Sequence, residues 1–288
     1  MAAWFAKSAD PPSGIQRPTL HLDGRRLARS FETLVKASEG EGGIERYITG
    51  IAFKASLFQE TVAPEKLGGL TEDTFLGLCA FMAPVRRRIG PWLKDNGFET
   101  ARRLVAGLLD GAGTDTGRTD ERIAAFCAGF PDGKSYRWVR DLAAELLHYT
   151  MPEPYPLMTR WLWDRQANTG VLREIWYDDN VDHITIDVPD GYATFLVLRE
   201  ELSQFLSSNG VFRDVLFYVD LLCAQVYADY IRERGASYLR TDFTSADDPM
   251  AYTRRMLGLD GVKPESGRTR VKFAEGPALV AGDPEPRH

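Results

Sequence analysis

Residues 211–233 form the longest amphipathic stretch of the chain, and this stretch constrains the fold more than any other feature. Its apolar side chains recur in steps of three and four residues, at Phe212, Val215, Leu216, Val219, Leu222, Cys223, Val226 and Tyr230. Such spacing places them on one face of an α-helix, and Gly235 stands where a helix commonly ends. Charged residues interrupt the stretch, so it is too polar to span a membrane, and we predict no membrane association.

The same period predicts several shorter helices, which dominate the rest of the chain. They lie at 23–37, 44–61, 100–109, 119–128, 135–149 and 199–206. Only one region favours strands: the segments 171–177 and 183–188 flank a turn-rich stretch, and the second segment alternates between apolar and polar residues. This pattern predicts a β-hairpin near 171–188, with a third short strand near 192–197.

These elements define the fold class, which is mainly α: a multi-helix single domain with a small β-hairpin insertion. A chain of 288 residues can form one large domain or two small ones, and we assign 19–262 to one helical domain. Prolines near the start and the closing GDPEPRH predict a flexible N-terminal arm over 1–18 and a flexible C-terminal tail over 263–288.

Charge and cysteine content narrow the class of protein and its compartment. The chain has 35 Lys and Arg residues against 41 Asp and Glu residues, a formal net charge of −6, whereas nucleic-acid-binding domains are usually basic. A basic run contains Arg86, Arg87, Arg88, Arg102 and Arg103, and its alternative interpretation is a solvated helix face. Three isolated cysteines indicate free thiols in a reducing compartment, and the first residues do not resemble a secretory signal. We therefore expect a cytoplasmic protein.

Aromatic side chains concentrate between residues 136 and 177 and form the first candidate site. The candidate ligand-binding rings are Trp138, Tyr149, Tyr155, Trp161, Trp163 and Trp176. Rigid rings with a polar edge can line a pocket for a flat ligand. The alternative interpretation is that these rings pack the core where the proline-rich segment 151–156 crosses a helix.

His148 lies at the end of a predicted helix in this region, and it is one of five candidates for a catalytic residue. These candidates are His148, Arg160, Arg173, Arg240 and Asp242. In the functional interpretation, His148, Trp161 and Arg240 surround an aromatic-lined pocket. In the structural interpretation, the imidazole bonds a backbone carbonyl of residues 151–157, because a buried polar group needs a partner. Arg240 then pairs with Asp242 and fixes a loop.

Carboxylates and an imidazole crowd the predicted hairpin turn, where Asp178, Asp182 and His183 are weak candidates for a metal site. Such groups can hold a divalent cation, but Asp and Asn are also the residues that turns favour. The EF-hand spacing is absent, and so are the Walker A, dinucleotide-binding, nucleophile-elbow and kinase motifs. We therefore predict no metal site, and the sequence identifies no cofactor.

One segment resembles a turn of helical base-excision proteins, in which a helix ends in an apolar-His-aromatic step before a Pro-x-x-Tyr-Pro turn. The matching residues are Leu147, His148, Tyr149, Pro152, Tyr155 and Pro156. The resemblance implies an acidic residue soon after the turn, where this chain has Thr159, with Asp164 further on. No helix-hairpin-helix glycine pattern precedes the segment, so we do not assign the chain to that class.

Together these observations predict a soluble helical protein that serves as an accessory or protein-interaction component, with a protein partner or as a homo-oligomer. The alternative is an enzyme or a small-ligand-binding protein whose site is the aromatic-lined pocket near His148. A further alternative is a nucleic-acid-binding protein that uses the basic run from Arg86 to Arg103.

Overall fold

A computed structural model describes residues 16–40, 42–181, 183–238 and 248–260, the side chains of 234–238 excepted. Within these ranges the chain is mostly helical and contains no β-strand, so the predicted mainly-α class is confirmed. The helices are α1 (Gly24–Glu39), α2 (Ile44–Val62), α3 (Glu72–Ala80), α4 (Ile89–Asn96), α5 (Phe98–Leu109), α6 (Thr119–Cys127), α7 (Trp138–Thr150), α8 (Val171–Glu174), α9 (Tyr192–Ser208), α10 (Val215–Tyr238) and α11 (Ala251–Met256). Short 3-10 helices lie at Pro64–Gly69, Thr116–Arg118 and Lys134–Tyr136. Most of the predicted arm 1–18 and the whole predicted tail 263–288 lie outside the described residues.

Helix α10 and helix α7 organise the packing. Helix α10 contacts α1, α2, α8, α9 and α11, while α7 contacts α2, α5 and α6. From Trp138 to Thr150 only one residue of α7, Arg140, is not buried, so polar and apolar side chains of this helix are enclosed alike. Among the described helices none is both long and apolar enough to cross a bilayer.

The ends of several helices follow from local hydrogen bonding. The Asp23 carboxylate accepts hydrogen bonds from the amides of Arg25 and Arg26 at the start of α1, as an acidic N-cap does. Thr71 caps α3 in the same way through the amide of Thr74. Helix α10 begins later than its apolar pattern suggests, because Asp214 adopts a left-handed conformation (φ 51°) immediately before it.

The predicted β-hairpin near 171–188 is wrong. Residues Val171–Glu174 form the short helix α8, and Trp176 makes only an isolated antiparallel bridge with Leu22. Gly170 (φ 123°) sets this geometry, since the following amides donate to the carbonyls of Trp161 and Leu162. A Cβ at position 170 would lie 2.7 Å from the Leu162 carbonyl oxygen. The third strand proposed near 192–197 is also wrong, because these residues open α9.

The alternating segment 183–188 forms no regular element. Side chains, and not a neighbouring strand, make hydrogen bonds with its backbone groups. The Asn168 side chain contacts both the carbonyl of Ile184 and the amide of Ile186. The indole of Trp163 donates to the carbonyl of Val188 at 3.0 Å. Ile186 and Val188 are buried while Thr185 and Asp187 are exposed. The alternation thus reflects burial of one side of a non-helical segment, which does not require a β-ladder.

Candidate functional site

Four ionisable side chains meet in the interior where α2, α7 and α10 pack together. Lys54 comes from α2, Glu145 and His148 from α7, and Asp220 from α10. All four are at most 3% exposed. We call this group the buried charge cluster.

Lys54 makes more hydrogen bonds than any other side chain of the cluster. Its ammonium donates to Glu145 Oε2 at 2.8 Å and to the carbonyls of Phe81 and Leu257, each at 2.9 Å. It also lies 3.9 Å from the ring centroid of Tyr149, a favourable cation–π arrangement. Burial lowers the pKa of Lys54 and raises that of Glu145, and their mutual attraction opposes both shifts. The bond to Leu257 ties the segment after α11 to the core.

His148 links three segments through its two ring nitrogens. Nδ1 lies 2.8 Å from the carbonyl oxygen of Tyr155, and Nε2 lies 2.8 Å from Oδ2 of Asp220. The predicted contact with a backbone carbonyl of residues 151–157 is therefore confirmed. A carbonyl only accepts hydrogen bonds, so Nδ1 carries a proton. A second proton must then lie between Nε2 and Asp220, on one atom or the other.

Glu145 contributes a carboxylate oxygen that has no hydrogen-bond partner in the cluster. Its Oε1 is buried and has no hydrogen-bond partner, which is uncommon for a buried polar atom in a folded protein. Burial also raises the pKa of the neighbouring Tyr149 phenol well above its usual value. Desolvated acid and base groups of this kind can transfer protons when a ligand reaches them.

Two of the other predicted catalytic residues bind internal partners. Arg160 contacts the buried carboxylate of Asp141 with Nε at 3.1 Å and Nη2 at 2.6 Å. Arg173 donates to the carbonyls of Val181 and Ile184. The remaining two candidates, Arg240 and Asp242, lie outside the described residues. The pocket near His148, Trp161 and Arg240 therefore stays a prediction.

The six candidate aromatic rings have separate neighbours. Trp138 packs against Phe130 and Tyr136, and Trp161 packs against Tyr227. Trp176 meets His21 edge to face. The remaining rings contact these groups: Tyr149 meets Phe58 and His148, Tyr155 meets Tyr192, and the Trp163 indole meets the Val188 carbonyl. Each of the six rings packs against other side chains or backbone groups of this chain. The rings are distributed over several parts of the core and do not line one common pocket among the contacts described.

The two described candidate metal ligands, Asp178 and His183, belong to the turns that follow Tyr177. Asp178 accepts a hydrogen bond from the amide of Asn180 at 2.7 Å, which is the usual role of Asp at a turn. His183 is exposed, and Asp182 lies outside the described residues. In the part of the chain that the structure describes, no group of three or more His, Cys, Asp or Glu side chains is placed to hold a metal ion.

Three of the five arginines in the basic run bind groups of this chain through their guanidinium groups. Arg86 forms a two-pronged ion pair with Asp260, at 2.8 and 3.1 Å. Arg88 donates to the carbonyl of Ser135, and Arg102 pairs with Glu99. The other two residues of the run, Arg87 and Arg103, are exposed. A nucleic acid would thus meet a basic surface in which several charges already have partners.

A groove between α5 and α6, which the sequence analysis did not single out, holds a further set of charges. Its volume is about 330 Å³. The residues that line it are Arg103, Leu104, Gly107, Leu108, Asp110, Arg118, Glu121, Arg122, Ala125 and Phe126. Many of them recur at intervals of four residues along the two helices, and such a stripe on adjacent helices was the signal available in the sequence. We call this feature the α5–α6 groove.

No family model, curated protein or solved structure matches this chain. Three features of the described residues are candidates for chemistry or for an interaction surface: the buried charge cluster, the α5–α6 groove, and the exposed side chain of Phe212 between α9 and α10.

Proposed function

We propose that the protein is an accessory or interaction component that binds a protein partner or a second copy of itself in a reducing, cytoplasmic environment. The observation that carries this proposal is the exposure of Phe212, whose relative accessible surface is 76%. Burying a phenylalanine side chain at an interface is favourable by roughly 1.5–3 kcal/mol. Aromatic side chains are also enriched at the centres of protein interfaces.

The backbone around Phe212 is held in a defined conformation. The amides of Gly210 and Val211 donate to the carbonyls of Ser207 and Leu206, at 3.1 and 3.0 Å. On the other side, the carbonyl of Asp214 accepts from the first amides of α10. The connection between the two helices therefore presents the ring from a fixed position, which lowers the entropy lost on binding.

Further apolar side chains lie on α9, which leads into this connection, and on α1, which packs against α10. Phe31 of α1 and Phe205 of α9 form an edge-to-face pair with ring centroids 6.2 Å apart, and both are half-buried. Val35 follows Phe31 by one helical turn and is exposed, so the two share one face of α1. These side chains add apolar surface that a partner can cover.

The test places a photoreactive phenylalanine analogue at position 212 in otherwise native protein. The matched control carries the same analogue in place of Tyr177, which is also aromatic and is 63% exposed. We expect position 212 to form one defined adduct on irradiation in a cell extract or in concentrated pure protein. An adduct with a second copy would indicate a homo-oligomer, and sedimentation of the Phe212→Ser variant should then show a smaller species.

The proposal fails if position 212 forms no adduct, or if positions 212 and 177 give the same mixture of adducts. It fails equally if the wild-type protein remains monomeric at high concentration and no adduct forms in extract. Circular dichroism of the substituted proteins checks that both remain folded.

A second candidate function, an enzyme or a small-ligand-binding protein centred on the buried charge cluster, is favoured by the unpartnered Oε1 of Glu145. A bound ligand would offer this atom a partner. A screen of thermal stability against metals, nucleotides and common cofactors tests it, since a ligand at 100 times its Kd stabilises by about 2.7 kcal/mol. A stabilising ligand whose effect disappears in the Glu145→Gln variant would support this candidate, and a screen without any shift would remove it.

A further inference from the structure

We propose that the α5–α6 groove binds a small organic anion: a carboxylate or a phosphate monoester attached to an apolar body. Three arginines, Arg103, Arg118 and Arg122, line the groove. Apolar side chains, among them Leu108 and Phe126, complete its lining. Guanidinium groups recognise carboxylate and phosphate oxygens through paired N–H donors, while the apolar lining suits a hydrocarbon group. This inference is independent of the interaction surface at Phe212.

Arg122 is the arginine of the groove whose guanidinium group is held in place by hydrogen bonds to backbone carbonyls. Its Nη1 donates to the carbonyl of Leu108 at 3.0 Å and also to that of Asp110, which holds the guanidinium against the C-terminal end of α5. Its Nε is buried and has no hydrogen-bond partner. A buried donor without an acceptor is costly, and a small shift of the Arg122 side chain would bring this N–H to an anionic oxygen bound in the groove.

The other two arginines can turn towards a ligand. Arg118 pairs with Glu121 at 3.0 Å, but both side chains are about 70% exposed, and ion pairs of this kind contribute little to stability. Arg103 is exposed on α5. Both guanidinium groups can therefore reorient without the loss of a buried contact.

The size and charge of the groove limit the ligand. A volume of about 330 Å³ lies at the lower end of the range for small-molecule pockets. Asp110 and Glu121 also line the groove, so three arginines against two carboxylates leave one excess positive charge. That balance favours a small acid over a polyanion such as a nucleic acid, whose many phosphates would meet the two carboxylates as well.

The experiment titrates the full chain, labelled with ¹⁵N, with phenyl phosphate, with benzoate and with the neutral benzyl alcohol. The amides of Gly107 and Ala125 report on the two walls. The two anions distinguish a phosphate head from a carboxylate head, and the alcohol measures the contribution of the apolar lining alone. The titrations are repeated with Arg103→Gln and with Arg102→Gln, a matched control whose neighbouring guanidinium pairs with Glu99 and does not line the groove.

We expect at least one anion to shift the amides on both walls, and to bind more tightly than benzyl alcohol. Arg103→Gln should weaken that binding by about tenfold, the usual range for loss of a charge-assisted hydrogen bond, and Arg102→Gln should change it by less than about twofold. The proposal is overturned if neither anion shifts these amides at millimolar concentration. It is also overturned if the two variants weaken binding equally, since that result indicates a general effect of charge.

Discussion

The buried charge cluster and the α5–α6 groove use the same kinds of side chain under opposite conditions. In the cluster, Lys54 and Glu145 are shielded from water, and the ammonium contacts three oxygen acceptors. In the groove, Arg118 and Glu121 pair at a similar distance but remain largely exposed. Water competes for the second pair and is excluded from the first, so burial and not separation decides what each pair contributes.

This difference separates a structural role from a binding role. Removing one member of a buried pair leaves its partner charged in a medium of low dielectric constant, which is strongly destabilising. An exposed pair can open at little cost, and its guanidinium then becomes available to a ligand. Variants of both regions test this contrast, beginning with the largest expected effect.

Lys54→Met should lower the free energy of unfolding by about 3–5 kcal/mol. The substitution leaves the Glu145 carboxylate and the carbonyls of Phe81 and Leu257 without their common donor. Urea unfolding followed by circular dichroism measures the change. Lys36→Met is the matched control, because Lys36 is an exposed lysine on another helix, and it should change stability by less than about 0.5 kcal/mol.

A double variant, Lys54→Met with Glu145→Leu, sharpens the first prediction. It removes both charges together, so it should be more stable than Lys54→Met alone, because no unpaired charge remains. A loss below about 1 kcal/mol in the single variant would show that water reaches Lys54, and the contrast with the groove would then be wrong.

His148→Ala should cost about 3 kcal/mol, since it removes two buried hydrogen bonds and leaves Asp220 without its partner. Asp220→Asn should cost less, because an amide can donate to Nε2 and no shared proton is then needed. The measurement is the melting temperature, with His183→Ala as the exposed control. An unchanged melting temperature for His148→Ala would contradict the structural role and favour the second candidate function.

Apolar periodicity predicted several helices of the fold, although two of them bury more than one stripe: α7 is enclosed on nearly all sides, and so are residues 218–226 of α10. The long helix and the helix of Trp138–Thr150 were both identified from the sequence. The segment 171–188 departs from its predicted hairpin for a physical reason: an irregular segment buried on one side alternates as a strand does, and hydrogen bonds from Asn168, Arg173 and Trp163 take the place of a ladder.

The cluster was only partly visible in the sequence. His148 stood out as a rare residue in an aromatic segment, whereas Lys54, Glu145 and Asp220 look like ordinary charges on a helix. One signal was available for Lys54: it lies three residues after Ile51 and four before Phe58, on the apolar face of its helix. Which distant charge would meet it depends on the packing of α2 against α7, and local spacing carries no information on that packing.

Alkaline pH tests burial at two further sites, Cys79 and Cys223. Desolvation raises the pKa of both thiols above the usual 9.0. Each thiol therefore stays protonated in the folded protein while it ionises in the unfolded chain, so stability is retained below pH 9 and lost as pH rises. From pH 9 to pH 10 the two thiols together should lower the free energy of unfolding by about 2 kcal/mol.

Urea unfolding at several alkaline pH values measures this decline, and the Cys79→Ala variant serves as the comparison. Removing one of these two thiols should reduce their combined contribution to the pH dependence by about half. An identical decline in wild type and variant would show that the thiol already ionises in the folded state, and hence that α3 opens to water.

Glu121→Gln should have the smallest effect on stability, because its pair with Arg118 is exposed. The same substitution raises the positive excess of the α5–α6 groove from one to two charges and frees the Arg118 guanidinium. Binding of phenyl phosphate should therefore become tighter while the unfolding midpoint in urea stays where it was. Glu99→Gln is the matched control, since Glu99 pairs with Arg102 on α5 and does not line the groove. If Glu121→Gln instead destabilised the protein as strongly as Lys54→Met, the pair would be structural, and exposure would no longer distinguish the two regions.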